Sequence, residues 1–346
     1  MKIDLNISDK LFGILPDGRE AHIFTLSNKN GVQISITNFG GIIQSILLPD
    51  RKNAWVDIVA GYDTLEEYVA DEAYFGATVG RFANRIANSS FKLNDERIKL
   101  AKNAKNHHLH GGKEGFNKKL WSAKPIVTEN DCRLELSYTS PDGEENYPGN
   151  LVVLAIFSLN NLNEFSIQYF AKTDKETHIN LTNHSYFNLN GSGNIAQTGV
   201  AIFAKKYTET DDELIPTGKL KTVEATALDF RKEKPIGQDI AETGVGYDHN
   251  YVLNKRGKEI SFAAKASSPN SRRSIEVYTS QPGMQFYTGN FLKGIKGKNG
   301  RLYKNHDAFC FETQHYPDSP NRPEFPSTLL KPGELYEETT IYRFLY

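Results

Sequence analysis

The strongest constraint on the fold is a period of two. Residues 22–26 (His-Ile-Phe-Thr-Leu), 32–36 and 42–47 alternate side chains between two faces, with Gly and Asn at the breaks. The same alternation returns at residues 134–138, 151–159, 165–170 and 274–279. Turn residues separate such runs at intervals of roughly eight to twelve positions, the spacing of antiparallel β-structure. A helix cannot use this pattern, because its apolar face repeats every 3.6 residues. The best helix candidate is residues 63–68, where Thr64 and Glu67 have capping-box spacing. It is too short to organise a fold. No compositional break and no fixed-period repeat divides the chain, so residues 1–346 are expected to form one all-β domain, larger than usual.

Composition removes several function classes. With 41 Lys and Arg against 42 Asp and Glu, there is no basic footprint for nucleic acid. The Lys-rich stretch 293–298, interleaved with glycine, is expected to be a solvated loop. No apolar run reaches the ~20 residues that span a bilayer, and residues 1–15 lack the apolar region of a signal peptide. Two cysteines, Cys132 and Cys310, give no disulfide framework. A cytoplasmic protein without membrane contact is expected.

Six stretches carry chemistry-bearing side chains. Residues 180–191 read Asn-Leu-Thr-Asn-His-Ser-Tyr-Phe-Asn-Leu-Asn-Gly. If extended, this run places Thr182, His184, Tyr186 and Asn188 on one face. A polar face centred on histidine suits the floor of a small-molecule site; a hydrogen-bonded Asn-rich loop is the alternative. Residues 80–86 hold Arg81, Asn84 and Arg85. An arginine fork suits hydroxyl oxygens as well as carboxylates, but a structural arginine paired with Asp57 or Glu96 is the simpler expectation. His107, His108 and His110 raise the question of a metal, with His108 and His110 on one side of a strand. No third ligand stands at a supporting spacing, so no metal is expected. Asp248 lies beside His249 ahead of an apolar run, and residues 281–290 mix turn residues, amides and aromatics. Finally, residues 308–314 alternate Phe309, Phe311 and Thr313 against Cys310, Glu312 and Gln314. A glutamate in so apolar a strand either pairs with an arginine or has a chemical task. Residues 214–218, with Pro216 and Gly218, read as a turn.

These landmarks resemble the aldose 1-epimerase (galactose mutarotase) family in consistent order. They are the 80–86 segment, Leu109-His110-Gly111-Gly112 with Trp121, residues 180–189, Tyr247-Asp248-His249, residues 282–290, residues 309–313 and Pro332-Gly333. The resemblance implies a large antiparallel β-sandwich of the galactose mutarotase-like type with a few short helices. It implies an enzyme that interconverts the α and β anomers of aldohexoses such as D-galactose and D-glucose, serving hexose metabolism, without a cofactor or metal. It also implies residue roles. His184 is the acid toward the ring oxygen and Glu312 the base toward the anomeric hydroxyl. Asn84, Arg85, His110, Asp248 and Gln285 are sugar contacts, and Tyr186 stands beside the acid. The expected partner is a small sugar, and the assembly a monomer or homodimer. Two readings compete: a catalytically silent sugar binder on the same fold, and a glycoside hydrolase using Asp248 as a second carboxylate.

Overall fold

The structure is a computed structural model and describes residues 5–50 and 54–346. The first four residues of the N-terminal stretch read above for a signal peptide lie outside the described residues. Three antiparallel sheets dominate. A five-stranded meander runs in chain order through Asn6–Ile14, Glu20–Ser27, Gln33–Thr37, Ile42–Pro49 and Trp55–Asp57. A nine-stranded sheet is centred on Leu151–Asn160, Glu164–Thr173, Tyr336–Leu345 and Ser274–Thr279. A six-stranded sheet holds Tyr186–Phe187, Phe309–Gln314, Gly283–Tyr287, Asp248–Leu253, Ala204–Thr210 and Pro216–Thr222, in that spatial order.

One apolar core is shared by all three. Leu26, Ile34 and Ile46 of the first sheet, Leu134, Phe157, Tyr169 and Val277 of the second, and Met284, Phe286, Phe309 and Phe311 of the third belong to a single buried cluster. Phe187 of the six-stranded sheet meets Tyr342 of the nine-stranded one with ring centroids 5.5 Å apart, and the Tyr342 hydroxyl donates to the Phe311 carbonyl. Alternation then sends the residues between these phenylalanines to the opposite face. That outward face of the six-stranded sheet is where the polar residues gather.

The helix forms at Leu65–Ala70, with Thr64 and Glu67 making the reciprocal cap that their spacing predicts. Three expectations need correction. Residues 214–218 are not a turn: the turn is at residues 211–214, where the Asp211 carboxylate accepts from Glu213 and Ile215 N–H. Pro216 begins the strand, at its first position on a sheet edge, where the absent N–H costs no ladder bond. The Lys-rich stretch is not wholly solvated. Lys298 is buried, and its Nζ sits 2.7 Å from Asp57 Oδ2. Arg81 is structural, but it pairs with neither Asp57 nor Glu96. Its buried guanidinium donates to the carbonyls of Ser140, Pro141, Pro148 and Gly149 and to Ser140 Oγ.

Candidate active site

Cross-strand register builds the floor of the site. Tyr186 and Tyr287 both face Cys310, and Tyr287 faces Asp248, so these four residues form one row across the outward face. Two residues further along, Glu312 faces Gln285 and Gln285 faces Asn250, forming a second row. Directly opposed residues share a face of an antiparallel sheet. Glu312, Asp248 and Tyr186 are thereby brought together from segments more than 120 residues apart in sequence at the extremes, Tyr186 and Glu312.

The histidine motif is less regular than an extended run. Only Thr182–Asn183 and Tyr186–Phe187 are strand. Between them the Asn183 carboxamide oxygen accepts from Ser185 N–H and Oγ, a local turn that competes with the ladder. His184 N–H donates to the Ala77 carbonyl, while the His184 carbonyl accepts from Gly76 N–H. His184 and Tyr186 still share a face, with rings stacked at 4.9 Å. Thr182 and Asn188 do not join them: Thr182 is buried, and Asn188 donates to the Gly193 and Asp307 carbonyls, beside a different cavity.

Asn84, Arg85 and His110 arrive on a short ribbon in which Arg85 faces Leu109. Asn84 and His110 hold each other. Asn84 N–H donates to His110 Nδ1 at 3.2 Å, and His110 N–H donates to the Asn84 carbonyl at 3.1 Å. Both sit at positive φ, 64° and 52°. Gly111 follows because a Cβ there would lie 1.8 Å from the Gly80 carbonyl oxygen. His108 does not share the side of His110. Its ring bonds the Ala101 carbonyl and the Tyr147 hydroxyl away from the site. His107 accepts from Asn88 N–H and approaches Glu213.

These elements enclose a half-open cavity of about 530 Å³ lined by Asn84, Arg85, His110, His184, Tyr186, Asp248 and Glu312. Gln285 stands behind this wall. It is buried, and its Nε2 donates to Asp248 Oδ1 at 2.6 Å. Arg85 makes no side-chain hydrogen bond or ion pair among the described residues, which leaves its fork facing the cavity. Tyr74 and Tyr287 complete the wall, and Phe291, 67% exposed, stands at the mouth. Reading the residues missed these three. Tyr74 follows the helix at φ 59° with no sequence signal, and Tyr287 ends a strand, Gly283–Tyr287, that the turn residues before it conceal.

His184 Nε2 lies 3.5 Å from Glu312 Oε2. Both residues are almost wholly buried, and Oε2 has no formed hydrogen bond. Burial pushes the imidazole down to about 4. Burial, followed by the Asp248 charge, pushes the Glu312 carboxyl well above its ordinary value, with Arg85 opposing. Burial also drives His110 well down, so its ring is neutral. The ligating atoms of His110, His184 and Glu312 come within 4.8 Å of one another, close enough to ask about a metal. The tautomer of His110 argues against it. Its Nδ1 accepts from Asn84 N–H, so the neutral ring carries its proton on Nε2 and offers no lone pair there. Two ligands remain, fewer than a zinc site uses.

A β-sandwich whose polar face buries an imidazole and a carboxyl within proton-sharing reach, under an arginine and an aspartate, belongs to the class of acid–base enzymes acting on small polar molecules. The comparisons narrow that class. The aldose 1-epimerase family profile matches residues 22–343. Galactose mutarotase of Bos taurus is 44% identical over 344 residues, covering 98% of this chain and 99% of that protein. Aldose 1-epimerase of Escherichia coli (strain K12) is 35% identical over 340 residues, covering 96% and 97%. Among solved structures, galactose 1-epimerase of Lactobacillus acidophilus superposes with a TM-score of 0.88 at 27% identity, covering 99% of each chain. An aldose epimerase homologue from C. elegans gives 0.87 at 29% identity, covering 94% and 98%. The chain belongs to the aldose 1-epimerase family, with the galactose mutarotase-like β-sandwich, and is a carbohydrate epimerase.

Proposed function

We propose that this enzyme interconverts the α and β anomers of an aldohexose such as D-galactose or D-glucose, with His184 and Glu312 as the proton-transfer pair. The observation that carries the reading is the 3.5 Å approach of His184 Nε2 to Glu312 Oε2 inside a cavity with Arg85 and Asp248 on its wall. Anomer exchange needs one proton delivered to the ring oxygen O5 and one removed from the hydroxyl on C1. His184 Nε2 gives its proton to O5 as the C1–O5 bond breaks, its electron pair staying on O5. Glu312 takes the O1 proton, and the O1 electrons close the C1=O1 double bond. The aldehyde turns about C1–C2. Reclosure runs the same transfers backwards: Glu312 returns a proton to O1, and His184 takes one from the C5 hydroxyl.

The pair therefore holds one transferable proton before opening and one afterwards, moved from nitrogen to oxygen: imidazolium with carboxylate becomes neutral imidazole with carboxylic acid. Burial favours the second arrangement in the empty site, since it raises the carboxyl and lowers the imidazole. That is the state from which an open aldehyde recloses. Ring opening requires the proton on His184, and the charge of Arg85, which lowers the Glu312 carboxyl, biases it that way. Positioned proton transfer contributes roughly 10²–10⁴-fold; orientation by Arg85, His110 and Asp248 supplies further rate. Asn84 acts beside them on the same ribbon, Tyr186 backs the imidazole, and Gln285 works through Asp248. Every group invoked lies in one chain, so a monomer suffices, and the shared core supports treating residues 1–346 as one domain. Cys132 and Cys310 are free and buried, in keeping with a reducing, cytoplasmic setting.

Polarimetry of freshly dissolved α-D-galactose and α-D-glucose tests the reading. Accelerated decay of rotation is expected. Sugar binding without acceleration would instead support the silent-binder reading.

A further inference from the structure

The neighbour of His184 on its other ring nitrogen is a thiol. Tyr186 and Cys310 are cross-strand partners, and this register sets Cys310 Sγ 3.6 Å from His184 Nδ1. Glu312 approaches the opposite nitrogen, Nε2. Two tyrosine rings pack against the imidazole as well: Tyr186 stacks at 4.9 Å and Tyr74 lies at 6.1 Å, both within about 22° of parallel. The imidazole is thus packed between aromatic rings with the thiol at Nδ1, and its Nε2 meets Glu312.

We propose that Cys310 is a positioning residue that keeps the proton of neutral His184 on Nδ1, leaving Nε2 as the nitrogen that exchanges protons with the sugar. This rests on the reading of His184 as the proton donor. The recorded partner on the Nδ1 edge is Cys310 sulfur, which can accept from an Nδ1–H. The other tautomer would turn an Nε2–H toward Glu312 and take the Nε2 acceptor away from the carboxyl proton that burial and the Asp248 charge keep in place. With Nδ1–H, the Nε2 lone pair faces a protonated Glu312 whose Oε2 has no other partner. The titratable and charged groups facing this cluster are Glu312, His110, Asp248, Arg85, Tyr74, Tyr186 and Tyr287.

The chemical logic of a thiol is its neutrality. A carboxylate in that place would stabilise the imidazolium and resist the outward transfer to O5. Cys310 is fully buried, and burial holds its thiol protonated. The thiol is a weak donor as well as a weak acceptor; with Nε2 turned to the protonated Glu312 it takes the acceptor role at Nδ1, with little effect on how strongly Nε2 holds its proton.

The test combines ¹⁵N-histidine NMR with steady-state anomerisation kinetics on wild type, Cys310→Ser and Cys310→Ala. Wild-type His184, assigned by its loss in His184→Ala, is expected to show the Nδ1–H tautomer near neutral pH. Cys310→Ala should mix the tautomers and lower kcat about tenfold, well short of the roughly 10⁴-fold loss when a proton-transferring histidine is locked in the wrong tautomer, with KM within about twofold. Cys310→Ser should restore both the tautomer and most of kcat. A wild-type Nε2–H tautomer, or an alanine variant with unchanged spectrum and kcat, would overturn the proposal. If the alanine variant does not fold, the wild-type and serine spectra decide. Full activity in His184→Ala would instead sink the underlying reading of the site, whatever the spectra show.

Discussion

At the scale of single residues, activity depends on where one proton sits. In the free enzyme burial holds His184 down to about 4 and lifts Glu312 well above an ordinary carboxyl. The pH dependence of kcat/KM reports free-enzyme groups. Its acid limb marks addition of a second proton to the pair and is expected near pH 4, not near the ordinary 6.5 of histidine. The alkaline limb marks loss of the proton from Glu312 and falls above the ordinary carboxyl range. Initial rates checked against circular dichroism at each pH measure this, and an acid limb at 6.5 would contradict the buried neutral imidazole. Gln285 supplies a second prediction. It reaches the cavity only through its 2.6 Å bond to Asp248, so Gln285→Leu should free that carboxylate to move. KM is expected to rise several-fold with a smaller change in kcat, roughly the 1–1.5 kcal/mol of one hydrogen bond. An effect confined to kcat would place Gln285 in the chemical step instead.

At the scale of elements, the strands that alternate were readable and the segments that bend were not. Residues 309–314 show Phe309 and Phe311 opposite Cys310 and Glu312, and the structure keeps those faces, with the phenylalanines in the core. Gly283–Tyr287 was obscured because Gln281, Pro282 and Gly283 read as a turn, although the strand behind them is the central partner of Glu312. The His184 motif was over-regularised, since period two ignores the Asn183 turn that breaks the ladder. His108 and His110 were paired by spacing, but positive φ at His110 swings it away from His108. Site residues from the family resemblance fell on the cavity, with Gln285 one layer behind; nothing in local pattern singles out Tyr74. Arg81 is the element-scale test. It ties residues 140–149 to the segment that leads into Asn84 and Arg85. Arg81→Met leaves several carbonyls unpaired and should lower unfolding stability by roughly 3 kcal/mol or more, read from chemical denaturation. A loss below about 1 kcal/mol would show that water replaces the clamp.

At the scale of the whole molecule, the shared core that carries the site also buries titratable groups, which ties stability to pH. His108, His178, His184 and His315 are all held down to about 4 by burial. Each favours the folded state fully above the ordinary 6.5, and that contribution is lost as pH falls from 6.5 toward 4. Asp71, Asp318, Glu312 and Glu338 are raised by burial and act with the opposite sign, favouring the fold as pH falls. The net slope is a difference, so a single histidine is the cleaner probe. His178 lies outside the cavity, its ring edge-on to Phe91 and bonded to Thr328. His178→Gln should remove about 2 kcal/mol of the stability lost between pH 6.5 and pH 5. The variant's melting temperature then falls less than that of wild type over that range; an equal fall would mean His178 is not held neutral.

The most direct measurement of the central claim is polarimetry of fresh α-D-galactose with wild type, His184→Ala and Glu312→Ala under identical conditions. Acceleration by wild type is expected, with a loss of at least about 10²-fold in each variant and both still folded. Wild-type-like acceleration by either variant would show that the pair 3.5 Å apart does not carry the protons.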